Sequence, residues 1–379
     1  MAPKRPLQFL DALRGLAALY VMIGHAKWLL WEGYTHGFQQ HPEQYSFFEK
    51  LLVYGLSAFR YGHQAVLFFF VLSGFVIHLK YAKNIVANGS PAFNVKDYLV
   101  KRIKRIYPPF LLAMLITFVL DHIGSNLNHI ILYNGNAQDE ILNEIVEKKH
   151  DLVTLIGNLF FIRTEDIGVW GSNGPSWSLK YEWWFYMIYP ALIYVNKRSI
   201  FKSSLLIIIL FISGVAIDTG EKSFFADTLK YLLIWWLGML LADIYNKRVT
   251  IKHFYLAFLV LLLPLLVIAD SKSVYLSFFT SDFLWGLGFF GLLNVFFYFQ
   301  ERGFVFNWTQ RLQWLGDCSY TLYIIHFPIL FFLHGIVLRY TNNIMPKTMV
   351  FIFPGIIICL VSAYLLHFVV EKPFTTKRR

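Results

Sequence analysis

Charged residues are scarce in this 379-residue sequence, in which Lys, Arg, Asp and Glu together make up 15% of the chain. Soluble globular proteins carry roughly 25% charged residues. Hydrophobic residues reach 57%, aromatic residues 19%, and the mean hydropathy is +0.51. A soluble enzyme or a disordered chain is excluded by this composition, and the two cysteines are too few for a disulfide scaffold. The composition predicts an all-α, polytopic membrane protein surrounded by lipid.

Acidic residues are fewer than basic ones, 23 against 34, which leaves a formal net charge of +11. A basic balance is often associated with nucleic acid. Here the basic residues lie in short segments between apolar runs, as cytoplasmic loops do under the positive-inside rule. We therefore expect no nucleic-acid partner. Zinc-protease motifs, Cys/His clusters and glycine-rich phosphate loops are missing too, so we expect no metal site and no permanently bound cofactor.

Ten apolar stretches approach the length of about 20 residues that a bilayer-spanning helix needs. They are 8–30, 62–80, 106–122, 177–195, 203–218, 226–245, 253–270, 278–299, 315–338 and 348–370. Placing both termini in the cytoplasm makes every inner connection basic, which the positive-inside rule favours. The sequence thus predicts about ten transmembrane helices with both termini cytoplasmic, and a single membrane domain over residues 1–379.

The longest connection, residues 123–176, lies on the outer side in this topology. Within it, 152–162 is apolar but too short to cross a bilayer, so we expect a re-entrant or surface-lying helix. The outer segment 31–61 is aromatic and polar. Both connections are expected to shape a binding site at the outer face.

Two ionisable residues of the first span, Arg14 and His25, are eleven positions apart, or about three helical turns. They therefore share one helix face, separated by about 16 Å along the axis. Ionisable residues inside a membrane are costly and often functional. Two interpretations remain open: a charged path through the bundle, or Arg14 reaching the inner interface while His25 bonds a neighbouring helix.

Four cations, Lys101, Arg102, Lys104 and Arg105, immediately precede the third span. Arg102 and Arg105, spaced i and i+3, would share a helix face. Their guanidinium groups suit phosphate oxygens, which predicts a phosphate-binding cluster. The alternative is an ordinary anchor attracted to anionic lipid headgroups.

Glu182 lies in an aromatic segment that begins with Trp177 and Ser178. A carboxylate among Trp and Tyr rings is poorly solvated, which suits it for proton transfer. The alternative is a buried carboxylate paired with a cation. Ser73, followed by a glycine, could simply allow close helix packing, and a lone His326 in a span is commonly a hydrogen-bonded structural residue.

Six motifs occur in order along the chain. They are LDALRGLAALYVMIGH (10–25), FFFVLSGF (68–75), the segment 102–108, PSWSLKYE (175–182), SYTLYIIHFPI (319–329) and VEKPF (370–374). Together they resemble the membrane acyltransferase-3 family, in the form that lacks a C-terminal SGNH domain. Members of this family O-acylate cell-surface carbohydrates and other exported molecules.

The resemblance implies an acyl-CoA donor, usually acetyl-CoA, that is presented from the cytoplasm. By match to the family motifs it implies catalytic roles for His25, Arg14 and Glu182 and donor binding by Arg102 and Arg105. The candidates for acceptor binding or structure are Ser73, Trp177, Ser178, Tyr323 and His326. The sequence departs from the family pattern at Leu67 and Ala65, which weakens a polar acceptor role for the Ser73 segment.

The expected function is that of an integral, multi-pass O-acyltransferase of the bacterial inner membrane. It would transfer an acetyl group from acetyl-CoA to a hydroxyl of a cell-surface carbohydrate such as a polysaccharide or O-antigen. Other envelope-polysaccharide enzymes are expected as partners. Alternatives are a transporter or flippase of a glycan intermediate, or the same enzyme type using succinyl-CoA or a lipid or small-molecule acceptor.

Overall fold

A computed structural model describes residues 7–89, 93–126, 131–135, 140–146, 150–164, 167–217, 223–274, 276–304 and 307–374. Within these ranges the regular structure is entirely helical, and no residue is in a strand. The all-α fold class predicted from composition is therefore confirmed.

Ten long helices, numbered here in chain order, follow the ten predicted apolar stretches. They are α1 (Phe9–Leu30), α2 (Gly62–Asn88), α3 (Val95–Asn126), α4 (Trp177–Asn196), α5 (Ile200–Ile217), α6 (Phe224–Tyr245), α7 (His253–Ser271), α8 (Phe278–Glu301), α9 (Ser319–Tyr340) and α10 (Ile352–Val370). Short helices lie in the connections: Tyr34–Phe38, Pro42–Gln44, Phe47–Ser57, Ala58–Arg60, Ile131–Asn134, Glu140–Val146, Leu152–Leu159, Gly174–Ser176, Trp308–Arg311, Gln313–Asp317 and Met349–Phe351.

Among the described residues, nine of the ten long helices are long and apolar enough to cross a membrane. The exception is α4, which has 20 residues and thus reaches about 30 Å. Its sequence is rich in Trp and Tyr and contains Lys180 and Glu182, which lower its hydropathy. Aromatic residues of this kind are nevertheless common at membrane interfaces.

Two helices extend well beyond the predicted stretches. The stretch 62–80 lies in a helix that runs to Asn88, and the stretch 106–122 lies in a helix that begins at Val95. Each apolar stretch ends at the first charged residues, whereas the helix continues through them because Lys and Arg are good helix formers. The basic cluster before the third span is consequently helical.

The described chain forms two compact units. The first comprises residues up to Leu10 together with Gln64–Leu99 and Leu179–Arg311. The second comprises Asp11–His63, Val100–Ser178 and Leu312–Arg379. Each unit thus collects segments that are distant in sequence.

In the first unit, α2 packs closely on α6 at glycines. A Cβ at Gly238 would lie 1.9 Å from the Val71 carbonyl oxygen, and one at Gly74 would lie 2.0 Å from that of Trp235. Neither position has room for a side chain, which is how small residues let membrane helices approach. Gly74, the residue after Ser73, therefore has the packing role considered from sequence.

In the second unit, α1 and α9 run in the same direction. Arg14 contacts Ser319, and eleven residues later His25 contacts His326. The contact positions advance together along both helices, as expected for the first and ninth of ten crossings.

Helix α10 runs opposite to α9 in the same unit. Glu371, just after α10, contacts Thr321 near the start of α9, whereas the earlier Cys359 contacts the His326 carbonyl. A Cβ at Gly355, earlier still, would touch the Leu330 side chain. The alternation of directions agrees with consecutive membrane crossings.

Candidate functional site

Two histidines of the second unit form a direct pair. His25 Nδ1 lies 2.8 Å from His326 Nε2, and the two rings stack at 5.1 Å with an interplanar angle of 14°. His326 is fully buried. The first-span histidine and the ninth-helix histidine, chosen separately from sequence motifs, therefore lie side by side.

The protonation pattern of the pair follows from its hydrogen bonds. His326 Nδ1 lies 3.1 Å from the Leu322 carbonyl oxygen, which can only accept, so this nitrogen carries a proton. In a neutral ring the other nitrogen, Nε2, is then an acceptor, and His25 Nδ1 must donate to it. His25 Nε2 is left without a proton. The arrangement thus presents a base at His25.

Aromatic side chains surround the pair. The Phe327 ring meets His25 edge-on at 5.0 Å, and Tyr323 lies 6.0 Å from His326 between ring centroids. The Tyr323 hydroxyl donates to the Pro175 carbonyl at 3.1 Å and lies 2.8 Å from the Ser178 hydroxyl. The structure therefore places Tyr323 beside His326 and Ser178 at the Tyr323 hydroxyl.

Arg14 contacts the chain just before and at the start of α9. Its guanidinium donates to the Gly316 carbonyl at 2.7 Å and to the Ser319 hydroxyl at 2.8 Å, and lies 3.8 Å from the Asp11 carboxylate. The predicted common face of Arg14 and His25 agrees with these contacts, because both residues face the same stretch of chain.

The basic cluster on α3 has two different faces. Lys101 and Lys104 are exposed, whereas Arg102 and Arg105 are half-buried. The spacing predicted this shared face for the two arginines. The two arginines are thus less exposed than the two lysines of the same segment.

Glu371, in the last motif, was not assigned a role from sequence. It is buried, and its carboxylate accepts from the Thr321 backbone N–H at 3.3 Å and from the Thr321 hydroxyl at 2.9 Å. Burial raises the pKa of Glu371, and the positive charges of Arg14 and Arg105 act against that rise. An ionisable residue directly after the last span was the signal for this position.

Glu182 and Ser73 meet in the first unit. The Ser73 hydroxyl donates to Glu182 Oε1 at 3.0 Å, the Tyr186 hydroxyl donates to the same oxygen, and the Trp235 indole N–H lies 3.3 Å from Ser73. Trp177, in the second unit, stacks on His63 at 5.5 Å. The Ser-Gly motif and the carboxylate motif are thus joined by a hydrogen bond.

Sequence reasoning missed two clusters of ionisable residues. In the first unit, buried His78 bonds both Tyr189 and Asp243, and Asp243 also pairs with Arg248. In the second unit, Asp121 near the C-terminal end of α3 bonds Ser172 and lies 3.3 Å from His150. Within the described ranges, no three His, Cys, Asp or Glu residues are placed to hold a metal ion. His78, Asp243 and Asp121 all fall inside predicted spans, which was the available signal.

Comparison with known proteins agrees with the motifs. A Haemophilus influenzae (strain Rd) protein, named "Uncharacterized protein", is 26% identical over 45% of this chain and 67% of its own length. Staphylococcus aureus proteins of strains COL and MRSA252, named "Putative O-acetyltransferase", are 24% identical over 81% of this chain. The chain spans about half the length of these staphylococcal relatives, 51%. No solved structure gives a significant match.

The match to a protein family covers nearly the whole chain. Residues 7–368 align with the acyltransferase domain that defines the family Acyl_transf_3. This range includes every long helix except the last two residues of α10 and therefore both histidines of the pair. The chain belongs to the acyltransferase-3 family.

Proposed function

We propose that this protein is an integral membrane O-acyltransferase that moves an acetyl group from acetyl-CoA to a hydroxyl of a cell-surface carbohydrate. The observation that carries the proposal is the hydrogen-bonded histidine pair, which leaves an unprotonated nitrogen on His25. Membership of the acyltransferase-3 family and the staphylococcal relatives named for O-acetyl transfer support it.

Arg102 and Arg105 are proposed to hold the phosphates of acetyl-CoA. Each guanidinium offers a fork of donors that matches phosphate oxygens, and the two lie on one half-buried helix face. The buried Glu371 carboxylate interacts electrostatically with Arg105 and Arg14. It would hold both cations at one end of the second unit while the donor binds.

Arg14 is proposed to position the donor. The sequence left open a second role, stabilising charge on the thioester oxygen. The eleven residues from Arg14 to His25 correspond to about 16 Å of helix, too far for a guanidinium to reach an oxygen beside His25. The spacing therefore favours contact with the donor on its path from the arginine pair to the histidines.

His25 Nε2 is proposed to take the proton from the acceptor hydroxyl. The hydroxyl oxygen then bonds to the thioester carbonyl carbon, the carbon–sulfur bond breaks, and the CoA thiolate leaves with the proton from His25. The products are free CoA and the acetyl ester. His326 would accept the Nδ1–H of His25 throughout and so hold the ring and favour its charged form.

An acyl-histidine route uses the same atoms in two steps. His25 Nε2 would attack the thioester carbon first, and the carbon–sulfur bond would break to release the CoA thiolate. The acceptor hydroxyl would then bond to the acetyl carbon as the carbon–nitrogen bond to His25 breaks, and its proton would pass to the CoA thiolate. Glu182, bonded to Ser73 and Tyr186, is proposed to relay protons in either route. We propose the bacterial inner membrane as the location, since acetyl-CoA is then available on the cytoplasmic side.

The test uses purified protein in liposomes with acetyl-labelled acetyl-CoA and a glycan extract from the host. We expect label in the glycan and stoichiometric release of CoA. Arg102→Ala and Arg105→Ala should each raise KM for acetyl-CoA about tenfold or more, because each removes a charge-assisted contact worth about 1.5–3 kcal/mol.

Lys104→Ala is the matched control, since it removes an exposed cation from the same helical turn. It should leave KM close to that of the wild type. Glycan that stays unlabelled while acetyl-CoA is not consumed would overturn the proposed function. An equal change of KM in Lys104→Ala and Arg102→Ala would overturn the donor site.

A further inference from the structure

The second unit contains a cavity of about 230 Å³ at the C-terminal end of α3. Its polar lining includes Asp121, His122 and His150, and its apolar lining includes Phe118 and Phe331. From Arg105 to Asp121 is sixteen residues of helix, or about 24 Å. The cavity therefore lies at the opposite end of α3 from the proposed donor phosphates.

Asp121 is the central polar group of the cavity and is 8% exposed. Its carboxylate accepts from the Ser172 hydroxyl at 2.6 Å and from the Ser172 backbone N–H at 2.8 Å. His150 Nε2 lies 3.3 Å from the same carboxylate. Each carboxylate oxygen can accept more than one hydrogen bond, so Asp121 retains capacity for a further donor.

The Tyr133 hydroxyl lacks a hydrogen-bond partner among the described residues, and His150 Nε2, although 3.3 Å from the Asp121 carboxylate, makes no hydrogen bond of suitable geometry there. Burial and the nearby Asp121 charge raise the pKa of Tyr133, so its hydroxyl stays protonated and able to donate. Buried polar groups are nearly always hydrogen-bonded, and an unsatisfied group indicates a water or ligand. Three convergent polar groups thus face a space that a hydroxyl-bearing molecule would satisfy.

The backbone leaves this space open at Gly171. A Cβ there would lie 2.2 Å from His150 Nε2 and 2.3 Å from Asp121 Oδ2. Gly171 also has a φ of +51°, which glycine adopts at little cost. Any side chain at this position would collide with the acidic and imidazole groups of the cavity.

The cavity is connected to the histidine pair by packed side chains. The Tyr133 ring meets Phe331 at 5.4 Å, Phe331 stacks on Phe327 at 6.1 Å, and Phe327 meets His25 at 5.0 Å. Phe331 is five residues after His326, or about 7.5 Å along α9. The Phe331 and Phe327 rings therefore lie between the cavity and His25, which makes the cavity a neighbour of the proposed base rather than the reaction centre itself.

The segment that follows Gly171 makes a second connection between the cavity and the histidine pair. Ser172 bonds Asp121 in the cavity, and the Asn173 side chain donates to the Ile324 carbonyl on α9 at 2.9 Å. Pro175 then accepts from Tyr323, whose ring lies beside His326. Four consecutive positions therefore run from the cavity to the histidines.

The chemistry of the lining selects among ligands. Aromatic walls suit the C–H faces of a sugar ring, while a carboxylate, an imidazole and a phenol suit its hydroxyls. The Asp121 charge disfavours phosphates and other anions, which argues against a lipid headgroup or the CoA nucleotide. A volume below the about 300–1,000 Å³ of drug-sized sites suits a single ring.

We propose that this cavity binds the acceptor, with one sugar residue held by Asp121, Tyr133 and His150 while a hydroxyl of another sugar residue of the same glycan reaches His25. The inference rests on the proposed function, which it deepens by naming the acceptor subsite. The donor and the acceptor then approach the histidine pair from opposite ends of the second unit.

The first experiment separates acceptor binding from donor binding. In the labelled-transfer assay with dilute host glycan extract, Tyr133→Phe should lower the rate of transfer about fivefold or more, because one hydrogen bond to the acceptor is lost. The rate should return toward that of the wild type as the extract is concentrated. Binding of acetyl-CoA should stay unchanged. The matched control, Tyr364→Phe, removes a hydroxyl from an exposed tyrosine of α10 and should behave as the wild type.

The second experiment needs no catalysis. Ser125, exposed at the cavity rim, is replaced by cysteine and treated with a membrane-impermeant maleimide. The native Cys318 and Cys359 are fully buried and give little background. We expect the glycan extract to slow the maleimide labelling of Ser125→Cys. The extract should slow labelling less in the double variant that also carries Tyr133→Phe. Labelling of the exposed control Ser271→Cys should not change.

The two experiments distinguish the possible failures. Protection of Ser125→Cys without any acetyl transfer would support the sugar subsite and overturn the proposed enzyme function. The subsite alone would be overturned by two results together. The transfer rate of Tyr133→Phe would depend on extract concentration as in the wild type, and the extract would not slow the maleimide labelling of Ser125→Cys. Equal protection of Ser125→Cys and Ser271→Cys would also overturn it.

Discussion

The two compact units each contain a histidine cluster inside a predicted span, and the clusters differ in how completely their hydrogen bonds are satisfied. In the first unit, His78 Nδ1 lies 3.0 Å from the Tyr189 hydroxyl and Nε2 lies 3.0 Å from Asp243. In the second unit, the hydrogen bonds that His25 and His326 make with described residues involve three of the four ring nitrogens.

The difference separates a histidine with both ring nitrogens bonded from one with a ring nitrogen still able to accept a proton. His78 has no nitrogen left for a substrate, and Arg248 balances the charge of Asp243. Such a saturated network joins α2, α4 and α6 and costs free energy to break. The second pair ends in an open acceptor on His25. Both clusters consist of ionisable residues within predicted spans, so location alone did not distinguish them.

The largest effect is expected when the open nitrogen is removed. His25→Ala should lower the transfer rate by about 10²–10⁴-fold, because a positioned general base contributes that much. The thermal unfolding temperature in detergent, followed by tryptophan fluorescence, should change little. If His25→Ala keeps full transfer activity, both the direct and the acyl-histidine routes are wrong.

Breaking the hydrogen-bonded network of His78, Asp243 and Arg248 should lower the stability of the protein. Asp243→Ala leaves His78 and Arg248 without their shared carboxylate, and removing one partner of a buried ion pair costs about 3–5 kcal/mol. We expect a clear fall in unfolding temperature, with near-normal activity per folded molecule. An active-site role for this network would appear instead as lost activity in a protein of unchanged stability.

The orienting role of His326 should have an intermediate effect. His326→Ala removes the acceptor for His25 Nδ1–H, and groups that hold a reactive imidazole in place typically contribute about 10–100-fold. The loss should fall on kcat, with KM for acetyl-CoA nearly unchanged. A loss as large as that of His25→Ala would indicate that His326 itself carries the proton or acyl group.

The smallest effect is expected for Tyr323→Phe. This change removes the hydrogen bonds to Ser178 and Pro175 while the ring beside His326 stays. A net hydrogen bond contributes about 0.5–1.5 kcal/mol, so activity should fall only a few-fold. A much larger loss measured under saturating substrate would place the Tyr323 hydroxyl in the reaction itself.

Much of the fold followed from hydropathy, and the exceptions have physical reasons. All ten apolar stretches became helices because a spanning segment must satisfy its own backbone hydrogen bonds. The ends of α2 and α3 were misplaced because helix formation continues through Lys and Arg after hydropathy has fallen. The interruption of α7 by a tighter turn over Phe258–Leu261 left no signal in its composition.

The site was predicted in parts rather than as a whole. Helical spacing placed Arg14 and His25 on one face and Arg102 and Arg105 on another, since both pairs are local. The contact of His25 with His326 joins residues about 300 positions apart, which no local pattern reports. The same holds for Glu371 with Thr321 and for Asp121 with Ser172.

By itself, the sequence determined that this chain is a helical membrane protein of the acyltransferase-3 family, because composition, periodicity and ordered motifs act along the chain. Only the tertiary structure decided which buried histidines are saturated and which one presents an open nitrogen. That distinction depends on partners brought from other helices, and a hydrogen bond depends on distance and direction in space. The motifs predicted which residues belong to the site, and the packing of the helices determined which residues they contact.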